Sequence, residues 1–384
     1  MELKEQLVKA IEYAISSDYG IWNRQGYIWQ RLSDVENICL YGCGKYYEDL
    51  KKKGFLKKFF NEDRIINFIC DNDEKKQGKL FETNTENAEC ISMEKLLEIK
   101  DDTVVLVTVG DGAGITKELQ EKGIEAYMFG DLFLREYDQH YSAEWFESNR
   151  EMILEAYDLM ADEKSREIYT NVICNRIAPQ YATLSFNDMK EENEYFGTDI
   201  FEIDPDEEYI VECGSYIGDS LEQYMEMFDN RCGAYYCFEL DKHNADICEK
   251  VIERYKKDNI HLIRAGVSDK NEVIQIAPSN GFSSRVKGQG ERLYDARIVK
   301  LDDELENKRV TYIKMDIEGE EIAALNGSKK IIEMYSPKLG ISAYHYLSDM
   351  WRIPLLIHSF NSNYKIYMRH HTTAVFDTNC YAVK

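Results

Sequence analysis

The stretch Tyr209–Ser220 reads YIVECGSYIGDS: an apolar run stops at Glu212, and Gly214, Gly218 and a polar, helix-like segment follow. Glycines there let the backbone pass a ligand with no Cβ in the way. A helix opening near Gly218 offers unpaired N–H groups and a positive dipole end, which suit a carboxylate. Glu212 can take a cationic amine from the same ligand, and Tyr216 and Asp219 lie in the same turn. The next apolar run, CFEL, ends on Glu239, 27 positions after Glu212. An acid at that place can accept both hydroxyls of a ribose. RAGVSD ends a third run on Asp269, within reach of an adenine edge.

Carboxylate, amine and nucleoside together describe S-adenosylmethionine, and these residues predict a site for it. The chemistry would fall to a fourth stretch, YIKMDIEGEEIAALNG, which runs apolar into Asp316, then Glu318, Gly319 and a new helix. Asp316 could orient the sulfonium end, position an acceptor hydroxyl or take its proton, and Glu318 could hold the turn or the substrate. In ISAYHYLSDMWRIPLLI, His345 ends a fifth run close to where Asp316 should lie. A histidine of ordinary pKa suits deprotonation of a hydroxyl at neutral pH. Asp316, Glu318 and His345 could alternatively ligate a divalent metal; the sequence does not favour that use, and no metal is assigned. His370 and His371, in YMRHHTT, fall in a hairpin and are expected at the surface. The glycine-rich SNGFSSRVKGQGERLYD is expected to cover the acceptor site.

These residues need a sheet whose strand ends meet. YIVECG, AYYCFEL, NIHLIRAGVS, VTYIKMDI, KLGISAY, YKIYMRH and TNCYAVK predict seven strands separated by helical segments, the last two joined as an antiparallel hairpin. Five parallel strands finished by a hairpin are the sheet of class I methyltransferases, expected over residues 196–384. Upstream, NICLYGCGKYYEDLKKKGF, IINFICDND and DDTVVLVTVGDG alternate strand and helix, so residues 38–137 predict a second Rossmann-like unit. Its Gly42-x-Gly44 turn has Tyr47 in the third glycine's place, and Asp71 stands 27 residues after Gly44, long for a ribose acid. Residues 1–37 and 138–195 read as a helical segment and a helical connector. The fold class is α/β, with two doubly wound domains.

VECGSYIGDS, CFEL, RAGVSD, VKLDDEL and above all IKMDIEGEE resemble the FkbM-type methyltransferase family over about residues 195–384. The resemblance implies an S-adenosylmethionine-dependent enzyme, and an O-methyltransferase acting on a sugar, glycan or related hydroxylated product of polysaccharide or secondary-metabolite biosynthesis. Glu212 stands where the family commonly has Asp, and Ser220 where Thr is common. FICDNDEKKQG is similar to Rossmann-like domains found beside sugar-modifying enzymes. Two other readings stay open: a nucleotide-sugar or dinucleotide-dependent enzyme run by the N-terminal unit, and a degenerate methyltransferase fold kept as a binding module.

Composition bounds the rest. The chain has 384 residues and a formal charge of −24, which argues against a nucleic-acid partner. Its ten cysteines include no C-x-x-C pair and several sit in apolar runs, so buried reduced thiols are expected. No stretch approaches a membrane span and the first residues lack a signal-peptide core. A cytoplasmic protein with a small-molecule or glycan acceptor is expected, and a homo-oligomer is allowed.

Overall fold

The computed structural model describes residues 2–16, 24–52, 54–60, 64–83, 86–109, 112–130, 132, 141–276 and 293–384. The chain divides into two compact units. The first is Met1–Ser148 with Thr170–Lys190 and Thr372–Phe376; the second is Asn149–Tyr169 with Glu191–His371 and Asp377–Lys384. Within 138–195 two helices form, Ala143–Leu159 and Glu163–Ile177, and their residues are shared between the units. No helix among the described residues is long and apolar enough to cross a membrane. All ten cysteines are free thiols, nine of them buried.

The first unit holds a six-stranded sheet: β1 (Asn37–Tyr41), β2 (Phe68–Cys70), β3 (Leu80–Glu82), β4 (Asn87–Ile91), β5 (Thr103–Val107) and β6 (Glu125–Met128), in the order β3-β4-β2-β1-β5-β6. All pairings are parallel except the β3–β4 hairpin, an edge that the sequence reading passed over. Side chains alternate faces along a strand. Ile38, Leu40, Val104 and Leu106 accordingly join one core cluster, and Cys39, Tyr41, Val105 and Val107 the other. Burial on both faces explains why these strands read as unbroken apolar runs. Tyr47, which breaks the glycine fingerprint, is fully buried in the first of these clusters.

The second unit holds the seven-stranded sheet. Its strands are β7 (Tyr209–Cys213), β8 (Ala234–Phe238), β9 (Ile260–Ile263), β13 (Tyr312–Met315), β14 (Lys338–Ser342), β15 (Lys365–His370) and β16 (Thr378–Val383). Their order is β15-β16-β14-β13-β7-β8-β9, with β16 antiparallel to both neighbours and the other pairings parallel. The order reverses between β7 and β13, the switch point at which doubly wound sheets bind ligands. A separate small sheet is formed by β10 (Gly266–Val267), β11 (Glu272–Ile276) and β12 (Tyr294–Val299). The expected third strand is therefore two: after Ile263 the chain turns, Ala265 N–H donating to the Ile263 carbonyl at 2.9 Å, and continues as β10 in the small sheet.

Candidate active site at the carboxyl ends of the strands

The turn after β7 is pinned on two sides. The N–H groups of Gly214 and Ser215 both donate to the Phe238 carbonyl at 3.0 Å. Gly214 has φ +82°, and a Cβ there would stand 2.0 Å from the Asp316 carbonyl oxygen, so only glycine lets the β7 and β13 ends approach this closely. Gly218, φ +87°, precedes the helix Asp219–Met227, which places Asp219 in its first turn. Tyr216 also has positive φ, 46°.

Glu212 departs from its expected role. It is fully buried, and its carboxylate accepts from Lys314 Nζ at 2.9 Å and the Tyr235 hydroxyl at 3.0 Å instead of facing a ligand's amine. Residues 212 and 314 are register partners on β7 and β13. Burial alone would lower the Lys314 pKa, but Glu212 and Asp316 raise it above its usual value, so a charged pair ties the two strands under the mouth.

Glu239, one residue past β8, is 7% exposed. One oxygen accepts the Tyr216 N–H at 2.8 Å and the other the Asp241 N–H at 2.7 Å, which orients the carboxylate toward the glycine turn. Burial pushes its pKa up to about 7 despite those donors. No lysine or arginine pairs with it among the described residues. It is a desolvated acid with acceptor capacity left over.

Asp316 follows β13, with its side chain 30% exposed, and accepts from the Tyr344 hydroxyl at 3.1 Å. Glu318 and Gly319 continue the turn with φ +60° and +99°. His345, three residues past β14 and 1% exposed, brings Nε2 to 3.6 Å from Asp316 Oδ1 and 3.7 Å from Glu318 Oε2. Its Nδ1 lies 3.2 Å from Glu321 Oε1, and that oxygen also accepts the Ile317 N–H at 2.9 Å. Burial alone would lower the imidazole's pKa; Glu321 foremost, with Asp316 and Glu318, outweighs it and raises it to about 10. The three acids thus favour the protonated ring, which works against the general-base role expected of His345.

The residues carrying these contacts span the matched family region. Residues 212–372 match the methyltransferase FkbM domain family. The C-terminal unit carries an FkbM methyltransferase domain. Among solved structures, methyltransferase FkbM from Methylobacillus flagellatus is 22% identical, with TM-score 0.70 over 99% of both chains, a likeness of fold. Aeropyrum pernix fibrillarin, solved with natively bound S-adenosyl-L-methionine, is 10% identical with TM-score 0.32, covering 48% of this chain and 70% of its own. An rRNA methylase from Streptococcus thermophilus is 12% identical with TM-score 0.30, covering 46% and 86%. No curated protein matches the sequence.

Not every expected residue reaches the FkbM mouth. Asp269 follows β10 and not the end of β9; it is exposed, with Ser268 Oγ 3.5 Å away. His370 and His371 are buried, contrary to expectation. His370 Nδ1 lies 2.8 Å from Thr378 Oγ1, its register partner on β16, and His371 Nε2 lies 2.9 Å from the hydroxyl of Tyr381 on the same strand, so both rings pack against β16. Residues 279–292 of the expected acceptor loop lie outside the described residues.

The structure also adds acids that the sequence reading missed. Asp377, φ +57° just before β16, and Glu194 both feel the charge of Asp316. Burial first, then Glu194 and Asp316, raise Asp377 to about 8; burial and Asp316 also raise Glu194, against the Asn379 amide that donates to it at 2.8 Å. Neither acid ends an apolar run in the strand pattern, so no local signal marked them. Glu321 had one: it closes the acid cluster IEGEE.

Proposed function

We propose that the FkbM domain is an S-adenosylmethionine-dependent O-methyltransferase acting on a hydroxyl of a small-molecule or glycan acceptor, in polysaccharide or secondary-metabolite biosynthesis. The observation that carries this reading is convergence at the switch point. The Gly214 turn touches the Asp316 carbonyl, and its Tyr216 N–H is held by Glu239, so three neighbouring strand ends share one mouth.

The residues fit the donor. The positive-φ glycines form a cradle that a Cβ would fill. Glu239 has the desolvated, oriented carboxylate that a ribose diol requires, and the helix opening at Asp219 presents N–H groups to a carboxylate. S-adenosylmethionine supplies a sulfonium-activated methyl, whose transfer to oxygen releases one proton. Asp316 is partly exposed at the mouth and oriented by Tyr344, and it is the group placed to align the acceptor hydroxyl and take that proton. His345 and Glu321 act behind it, Glu321 by bonding the Ile317 N–H and so fixing the turn that carries Asp316 and Glu318. Glu318, exposed beside it, is left to the acceptor.

Calorimetric titration with S-adenosylmethionine tests the reading, with saturable one-site binding expected. An absence of heat at high protein concentration would overturn it. Asp316→Asn should retain donor binding and lower turnover by about 100-fold or more, and full turnover would remove Asp316 from the chemistry.

A further inference from the structure

The acid that the proposed methyl transfer uses, Asp316, also belongs to a cluster with a second possible chemistry. Asp316, Glu321 and His345 come from three segments: the end of β13, the first residue of the helix Glu321–Asn326, and the stretch after β14. Each offers one ligand atom, and these atoms all lie within 4.8 Å of one another. We propose that these three side chains bind one divalent cation of the Mn2+ or Mg2+ class.

Three observations support it. The first concerns Glu321, which is 0% exposed. Its Oε1 accepts from the Ile317 N–H, whereas its Oε2 is buried with no hydrogen-bond partner among the described residues. A buried carboxylate oxygen without a donor is costly, and buried charges are paired or coordinate metals. The second is spacing. His345 Nε2 and Asp316 Oδ1 are 3.6 Å apart, too far for a hydrogen bond. Two donors each about 2.0–2.2 Å from one ion stand roughly 3–3.5 Å apart, so a small closure would bring both onto it. The third is charge. Besides the three candidate ligands, the Glu318 carboxylate stands 3.7 Å from His345 Nε2, while the nearby Lys314 already pairs with Glu212.

One imidazole and two carboxylates suit a hard or borderline divalent ion, with water completing its shell on the open side beside Asp316. Glu318, although nearer the surface, stands outside the set, because the buried carboxylate lacking a donor belongs to Glu321.

The test is a Mn2+ titration of the full chain, without methyl donor, following free Mn2+ by electron paramagnetic resonance. The expected result is one Mn2+ per chain, competed by Mg2+. Asp316→Asn and Glu321→Gln should each weaken binding at least about tenfold, and Glu318→Gln less than about threefold. Glu321→Gln removes a turn-fixing carboxylate and puts folding at risk, so the substitution at the partly exposed Asp316, Asp316→Asn, keeps the test decisive. No bound Mn2+ at millimolar concentration, or unchanged affinity in Asp316→Asn, overturns the proposal. Because no donor is present, either result leaves the methyl-transfer reading to its own titration.

Discussion

The two Rossmann-like sheets each end a second strand on an acid that reaches back to a glycine turn, and they use it in opposite ways. In the first unit Asp71 accepts the Cys43 N–H at 3.0 Å, much as Glu239 accepts the Tyr216 N–H at 2.8 Å in the second. Asp71, however, also takes Lys76 Nζ at 2.8 Å, the Cys43 thiol at 3.2 Å and the Asp73 N–H at 2.9 Å. Burial would raise its pKa, but Lys76 and those donors lower it to about 2, whereas burial raises Glu239, with which no lysine or arginine pairs among the described residues, to about 7. Asp71 is satisfied by its own chain; Glu239 has capacity left for a ligand. The same topology gives a closed acid in one unit and an open one in the other, and the donors gathered on Asp71 together with the deeper burial of Glu239 make the difference.

The largest expected effect contrasts the two lysine–carboxylate pairs. Lys314–Glu212 is 4% and 0% exposed, and Lys76–Asp71 30% and 13%. Lys314→Met leaves a buried, unpaired charge and should cost about 3–5 kcal/mol in a denaturant melt. Lys76→Met should cost less than about 1 kcal/mol. Equal losses would mean that burial does not distinguish the pairs.

Next come the two glycine turns. Gly214→Ala forces a Cβ against the Asp316 carbonyl at positive φ, and should lower stability by about 3 kcal/mol or abolish folding. Gly44→Ala meets nothing within 4 Å and should stay within about 0.5 kcal/mol of the parent.

The two acids should then separate by function. Glu239→Ala is expected to weaken S-adenosylmethionine binding about 100-fold, the loss of two charge-assisted hydrogen bonds. Asp71→Ala should leave that affinity unchanged. Comparable losses in calorimetry would make the first unit part of the donor site.

The smallest effect is one of pH. The folded-state pKa of Glu239 is raised, so its contribution to the free protein's stability is full below about 4.5 and lost as pH rises through about 7. Asp71 is depressed, so its contribution is present above about 3.8 and lost as pH falls through about 2. Donor binding favours ionised Glu239, so affinity should fall about tenfold per pH unit below 7, and this slope should flatten in Glu239→Gln. A slope that survives that substitution would assign it to another group.

Much of the fold was legible because strands buried on both faces leave apolar runs, and the buried strands of the two large sheets and the end hairpin follow from them, whereas the β3–β4 edge and the small sheet do not. The break after Ile263 was not, since β9 and β10 adjoin in sequence and only pairing with β12 separates them. At the site, Gly214, Glu239, Asp316 and His345 could be named from their places at strand ends. The fates of Glu212 and His345 could not, because their partners Lys314 and Glu321 lie 102 and 24 residues away.

The sequence by itself determined where strands stop, where glycine must stand and which acids close the runs, because backbone geometry and alternation act over a few residues. Only the tertiary structure decided which of those acids is neutralised, which keeps a cation off and which surround a histidine. Charge states depend on burial and on neighbours a few ångströms away, and distance along the chain does not measure either.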